Sequence, residues 1–234
     1  MLNPNSVSKS RCVDIVFAID GTGSMSPCIE SVKANAKRFY TDFVSELKGL
    51  GSTVDMLRIK LIVFRDYKSD GDRAMVESRF FELPDEDDEL SAYLDGIRAS
   101  GGCDEDANGL EALYYAMKSD FCTGINDRQV IVLFADTTAI PMRKRADCQN
   151  YPADMVDEKA LSEMWMCVGQ GKTATKLRER SKRLVIFAPE GTVYKDIAKS
   201  FNRSVFEPVT IHRGMDEISF DSILKIIAAS ASNA

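Results

Sequence analysis

The sequence has one histidine, His212, in 234 residues. That scarcity removes histidine-based metal centres and leaves no serine with a ready general-base partner. No apolar run approaches the ~20 residues of a membrane span. Residues 1–11 lack the apolar stretch of a secretory leader, so none is expected. The six cysteines, Cys12, Cys28, Cys103, Cys122, Cys148 and Cys167, form no close pairs along the chain. This excludes a zinc pattern or a disulfide framework and points to reduced thiols in the cytoplasm. No repeat or low-complexity linker divides the chain, so the expectation is one domain over 12–234 behind a flexible extension at 1–11. The net charge of −6 argues against nonspecific nucleic-acid binding by the domain as a whole.

What is present is an alternation of buried strands and amphipathic helices. Hydrophobic residues make up 44% and charged residues 28% of the chain, enough for one well-filled α/β core. Residues 13–19 are almost wholly apolar and β-branched, the composition of a strand covered on both faces. Ser26 reads as an N-cap and Pro27 as a first helical residue. Ile29, Val32, Ala36, Phe39, Phe43 and Leu47 then recur at helical spacing until Gly49 and Gly51. Further strands are expected at 57–64, 75–83, 129–135, 184–188 and, more weakly, 205–211. The short link between the second and third of these predicts an antiparallel edge strand. Helices are expected around Leu90–Ile97, around Leu110, Leu113, Met117 and Phe121, from Val156 to Val168, through Val193, Ile197 and Phe201, and through Phe220–Ile227. Residues 140–153 read as a long loop. The fold class is therefore α/β, a doubly wound, mostly parallel central sheet with one antiparallel edge strand.

The chemistry concentrates where the first strand ends. Asp20, Thr22 and Ser24 alternate with Gly21 and Gly23, placing one carboxylate and two hydroxyls at a strand's carboxyl end, where open α/β sheets bind ligands. Such oxygens suit Mg²⁺ or a similar hard cation. The pattern Asp-x-Thr-x-Ser-Met after an apolar strand resembles the first loop of the metal-ion-dependent adhesion site (MIDAS) of von Willebrand factor A (vWA) domains. Gly101-Gly102-Cys103-Asp104 stands where that family has a second, Gly-Gly-x-Thr loop, and Asp136 stands where it has a third-loop aspartate. The resemblance, which also extends to the element order, implies a Rossmann-like vWA fold. It implies a metal site of Asp20, Thr22, Ser24, Asp104 and Asp136 holding Mg²⁺ (or Mn²⁺ or Ca²⁺), and a non-catalytic role as a protein-binding adaptor. The partner would offer an acidic side chain or surface, with Asp66, Tyr67 and Thr138 and the basic loop residues Arg143, Lys144 and Arg145 setting specificity. A stand-alone domain of this type looks like bacterial members that act in multi-gene defence or signalling systems. Asp104 in place of threonine departs from the family pattern and adds a third carboxylate.

Other readings of the same residues stay open. Asp20-Gly21-Thr22 faintly resembles a phosphatase signature, which would make the chain a metal-dependent phosphohydrolase using Asp20, although the partner acid is missing. The metal loop could also be vestigial on a scaffold. Asp20 and Asp136 could simply cap helices. Gly169-Gln170-Gly171-Lys172-Thr173 ends like a phosphate-binding loop, but Met166 occupies the first glycine position and a helix precedes it. Lys172, Lys176, Arg178, Arg180, Lys182 and Arg183 form a basic run whose default reading is a solvated face; the sharper one is a surface for an acidic partner, protein or nucleic acid.

Overall fold

The first strand, β1 (Cys12–Asp20), is buried at every residue, as its unbroken apolar composition requires. In the computed structural model, which describes residues 11–101, 106–211 and 218–232, the strands form a seven-stranded sheet around it. The other strands are β2 (Met56–Phe64), β3 (Met75–Glu77), β4 (Phe81–Leu83), β5 (Arg128–Phe134), β6 (Lys182–Pro189) and β7 (Ser204–Val209). The sheet runs β3-β2-β1-β5-β6-β7, with β4 also on β2. β1 lies parallel to both β2 and β5, and β5-β6-β7 continue in parallel. This is the doubly wound α/β sheet expected from sequence.

The helices are α1 (Ser26–Gly49), α2 (Tyr67–Asp70), α3 (Asp87–Gly96), α4 (Gly109–Met117), α5 (Glu158–Trp165), α6 (Val193–Ser200) and α7 (Phe220–Ala231). Because side chains alternate across each strand, the sheet has two cores. Val13, Ile15, Phe17 and Ile19 pack with α1, α3 and α7, while Val16 and Ala18 pack with α4, α5 and α6. Phe17, Phe134 and Phe187 stack across β1, β5 and β6 at centroid separations of 6.1 and 5.0 Å.

Several expectations need correction. The edge strand expected over 75–83 is two pieces, both antiparallel to β2. The Ser78 hydroxyl accepts from Leu61 N at 2.9 Å, so a side chain replaces a ladder carbonyl and the strand breaks there. The fourth helix stops before Phe121: Ser119 Oγ bonds the Tyr115 carbonyl at 3.2 Å, while Phe121 stays buried against Phe80. Ser26 is the first residue of α1 rather than its cap, because a single 3₁₀ turn at Gly23–Met25 precedes it. Arg11 belongs to the domain, being buried, with its guanidinium on the carbonyls of Thr53 and Ala231. Residues 1–10 and His212 lie outside the described residues.

The cysteines also come out differently from their spacing. Cys12, Cys28, Cys122, Cys148 and Cys167 carry free thiols, and Cys103 lies outside the described residues. Cys12 and Cys122, distant in sequence, meet at Asp14, their ligating atoms within 4.8 Å of one another. Both Asp14 oxygens are held by Arg58 at 2.7 Å, and burial pushes the Cys12 thiol far up from its ordinary pKa. With protonated thiols and a spent carboxylate, this group is poorly suited to a metal. Lys182 of the basic run is fully buried, its ammonium on the Trp165 carbonyl and Glu179 and 4.9 Å from the Trp165 ring centroid. Among the described residues no helix is long and apolar enough to cross a membrane.

Candidate metal centre

The sheet order reverses at β1. The chain passes from β1 outward to β2, then crosses back to lay β5 on β1's other side, which makes the carboxyl ends of β1 and β5 the topological switch point. Ile19 is in register with Phe134. Asp20 follows the first directly and Asp136 lies two residues past the second, so the fold brings these two carboxylates to one place. Both are completely buried.

Their hydrogen bonding is incomplete. Asp20 Oδ1 accepts from Thr22 N at 2.9 Å, but Asp20 Oδ2 and both oxygens of Asp136 are buried with no partner among the described residues. Buried polar groups are paired as a rule, and buried carboxylates without a cation are costly. Accordingly Asp20 is pushed up to about 7, first by desolvation, with the neighbouring Asp136 charge adding to the rise and the Thr22 hydrogen bonds and Arg65 opposing it. Thr22 Oγ1 and Ser24 Oγ lie 3.4 Å apart beside them. Three carboxylate oxygens and two hydroxyls, with no sulfur or nitrogen donor among the described residues, fit a hard divalent cation. Asp104, the remaining expected ligand, lies outside the described residues.

The loop is held from behind by Arg65, a residue the sequence reading passed over. Its Nε donates to the carbonyls of Gly21 and Ser100, both at 3.0 Å; Nη1 donates to Arg73 O at 2.9 Å and Nη2 to Arg98 O at 2.7 Å. One guanidinium thereby ties the loop after β1 to the segment before residue 101. Near the site, Asn108 just before α4 and Glu111 in its first turn are both fully buried. Glu111 Oε1 accepts from Tyr151 Oη at 2.8 Å, while Glu111 Oε2, Asn108 Nδ2 and the hydroxyl of buried Tyr194 have no partner among the described residues. Gly109 is fixed by this packing, since a Cβ there would sit 1.8 Å from Tyr194 Oη. A charged residue ending a buried strand was a usable signal for Arg65; no pattern in the sequence pointed to Glu111 or Tyr194.

The expected partner residues fare unevenly. Asp66 is buried, caps α2 through Lys68 N, and is gripped by Arg145 at 2.6 and 2.9 Å. Tyr67 is buried with its ring 5.0 Å from that of Tyr151. Both are internal ties rather than contact surface, a correction to the expectation. Thr138 is half-buried, its Oγ1 accepting from Val193 N at the start of α6. Arg143 and Lys144 are exposed. The 140–153 loop is no loose excursion: Ala139 bridges Ala107, Met142 and Tyr151 are buried, and Asn150 bonds Gly71 O. It therefore packs on the loops that follow β2 and precede α4.

No family model matches the chain. Over 149 residues, 63% of its length, it is 29% identical to the alpha-protein kinase vwkA of Dictyostelium discoideum, of which it covers 22%. Its structure resembles the pilus adhesin SpaC from Lactobacillus rhamnosus GG with a TM-score of 0.55 at 12% identity, covering 94% of this chain and 30% of that one. It also resembles a von Willebrand factor type A protein from Catenulispora acidiphila with a TM-score of 0.52 at 11% identity, covering 94% of this chain and 42% of that one. The chain spans less than half of each of these proteins. Identities this low show the fold alone, and the fold is vWA-like.

Proposed function

We propose that this chain is a non-catalytic protein-binding module whose top face is organised by a divalent cation, Mg²⁺ or a similar ion, in a MIDAS-type site. The observation that carries the reading is the pair Asp20 and Asp136: both buried at the switch point, with three oxygens lacking any donor among the described residues. A cation would supply the charge those oxygens lack and, while partly open to solvent, would accept an acidic side chain from a partner. Asp20, Asp136, Thr22 and Ser24 would hold it. Arg143 and Lys144, exposed on the adjoining loop, would meet an acidic partner surface. That one structural neighbour is a pilus adhesin agrees with a binding role. Cytoplasmic placement and membership of a bacterial multi-gene system belong to this proposal too and come from the sequence pattern.

The test is affinity capture of partners by the tagged chain with and without EDTA, alongside calorimetric titration of Mg²⁺ and Mn²⁺. Chelator-sensitive capture and saturable metal binding, both lost in Asp136→Ala, are expected. Metal binding that survives Asp136→Ala would overturn the site, and hydrolysis of generic phosphoesters lost in Asp20→Asn would overturn the non-catalytic role.

A further inference from the structure

At the opposite end of the sheet, three arginines stand in a row. Arg128 opens β5, Arg183 is the second residue of β6, and Arg203 immediately precedes β7. Side chains alternate along a strand, so each can be placed by its neighbours. Val130 and Val185 face the α1/α7 core, which puts Arg128 and Arg183 on that same face, and Arg203 lines one cleft with Arg183. β5, β6 and β7 are consecutive in the sheet, so the row crosses three adjacent strands under the last turn of α7.

Like charges held this close repel. Arg183 shows it: desolvation first, then the charges of Arg128 and Arg203, bring its guanidinium down to about 10. Arg128 is lowered in turn, by burial and then by Arg203. Part of the row has an internal role, since Arg128 Nε donates to the Ser232 carbonyl at 3.3 Å, where a helix end favours a cation. Arg183 has no such role. Its Nη1 reaches only the carbonyls of Arg180 and Lys182, and it forms no ion pair among the described residues. Arg203 has Glu179 at 3.6 Å, a carboxylate half in solvent. Arg203 is also held at φ 59°, a left-handed conformation a residue with a Cβ adopts only at a cost.

Arg183 and Arg203 line a cleft of about 480 Å³ whose other walls include Val205, Ile226 and Ala229, with Glu207 the single acidic lining residue among the described ones. That volume is in the range of small-molecule sites. In a chain of net charge −6, concentrated positive charge beside an apolar wall is the arrangement that takes an anion on an apolar body, and guanidiniums match phosphate oxygens in geometry as well as charge. We infer that this cleft binds a small phosphate monoester, with Arg183 and Arg203 on the phosphate and Val205, Ile226 and Ala229 against the organic body. The site is independent of the metal centre at the other end of the sheet.

The test is calorimetric titration of the whole chain in EDTA at constant ionic strength, using AMP as the phosphate monoester, with inorganic phosphate and adenosine as its two halves. AMP is expected to bind saturably at one site, more tightly than inorganic phosphate, and adenosine not to bind. Arg183→Gln should lose roughly tenfold or more in AMP affinity, the worth of a charge-assisted contact. Its melting temperature without ligand should equal or exceed the parent's, because a repulsion is removed; Arg203→Gln repeats the measurement if the first variant fails to fold. No saturable AMP binding, unchanged affinity in either variant, or adenosine binding as well as AMP overturns the inference. Inorganic phosphate binding as tightly as AMP overturns the role given to the apolar wall.

Discussion

The guanidinium of Arg65 lies directly against Gly21: Nε bonds the glycine carbonyl at 3.0 Å, and a Cβ on Gly21 would come within 2.7 Å of Arg65 Cζ and 2.6 Å of Val63 Cγ1. The residue after Asp20 is thus glycine for steric reasons, and the arginine behind it sets where the loop between β1 and α1 sits. Gly21→Ala should therefore cost about 1–3 kcal/mol, the usual range for forcing extra atoms into a packed interior. Gly23, exposed with only a carbonyl 3.9 Å from such a Cβ, should tolerate alanine within about 0.5 kcal/mol. Urea denaturation of both variants in EDTA checks the contrast.

Thr22→Ala and Ser24→Ala should leave the metal-free melting temperature nearly unchanged, because each removes one hydroxyl and keeps the bond from Thr22 N to Asp20 Oδ1. The rise in melting temperature on adding Mg²⁺, which follows from binding to the folded state alone, should shrink in both. A large loss of stability already in EDTA would mean the hydroxyls are structural.

Without metal, stability should fall as pH rises from about 4 to 7. Asp20 titrates near 7 in the folded chain, against an ordinary carboxylate value of 3.8, so between those values the folded state binds more protons than the unfolded one. Stability is then fully present below the unfolded value and is lost as pH climbs through the folded one, by at most on the order of 4 kcal/mol. Asp20→Asn should flatten this slope in EDTA, and saturating Mg²⁺ should oppose it. Denaturation midpoints across pH 4–8 provide the readout.

Arg145→Ala should be strongly destabilising, by about 3 kcal/mol, because it leaves the fully buried Asp66 carboxylate without its paired cation. Arg143→Glu with Lys144→Glu should leave stability within about 0.5 kcal/mol. This exposed pair should instead weaken capture of an acidic partner, most at low salt. Thermal denaturation separates the stability effects; capture at two salt concentrations tests the surface.

The sequence alone settled what depends on local pattern. Apolar runs too long and uniform for a solvated strand required a sheet covered on both faces, and 3.6-residue stripes such as Ile29 to Leu47 required helices over it. The alternation of the two dictated parallel pairing, and Asp20, Thr22 and Ser24 marked a strand end rich in oxygen. Only the tertiary structure decided the rest, because it depends on residues far apart in the chain reaching the same place. Asp66 and Arg145, 79 positions apart, cancel each other's charge inside the fold, which turned two expected contact residues into a clasp. Lys182 looked solvated within a basic run, yet strand alternation aimed it at Trp165 and buried it, while its neighbour Arg183 was turned to the other face. The break of the edge strand at Ser78 needed Leu61 opposite it. That no described residue donates to Asp136 or to one oxygen of Asp20 is likewise a property of the assembled core: residue spacing specifies which groups arrive at a strand end, but which of them find a partner is set by everything packed around them.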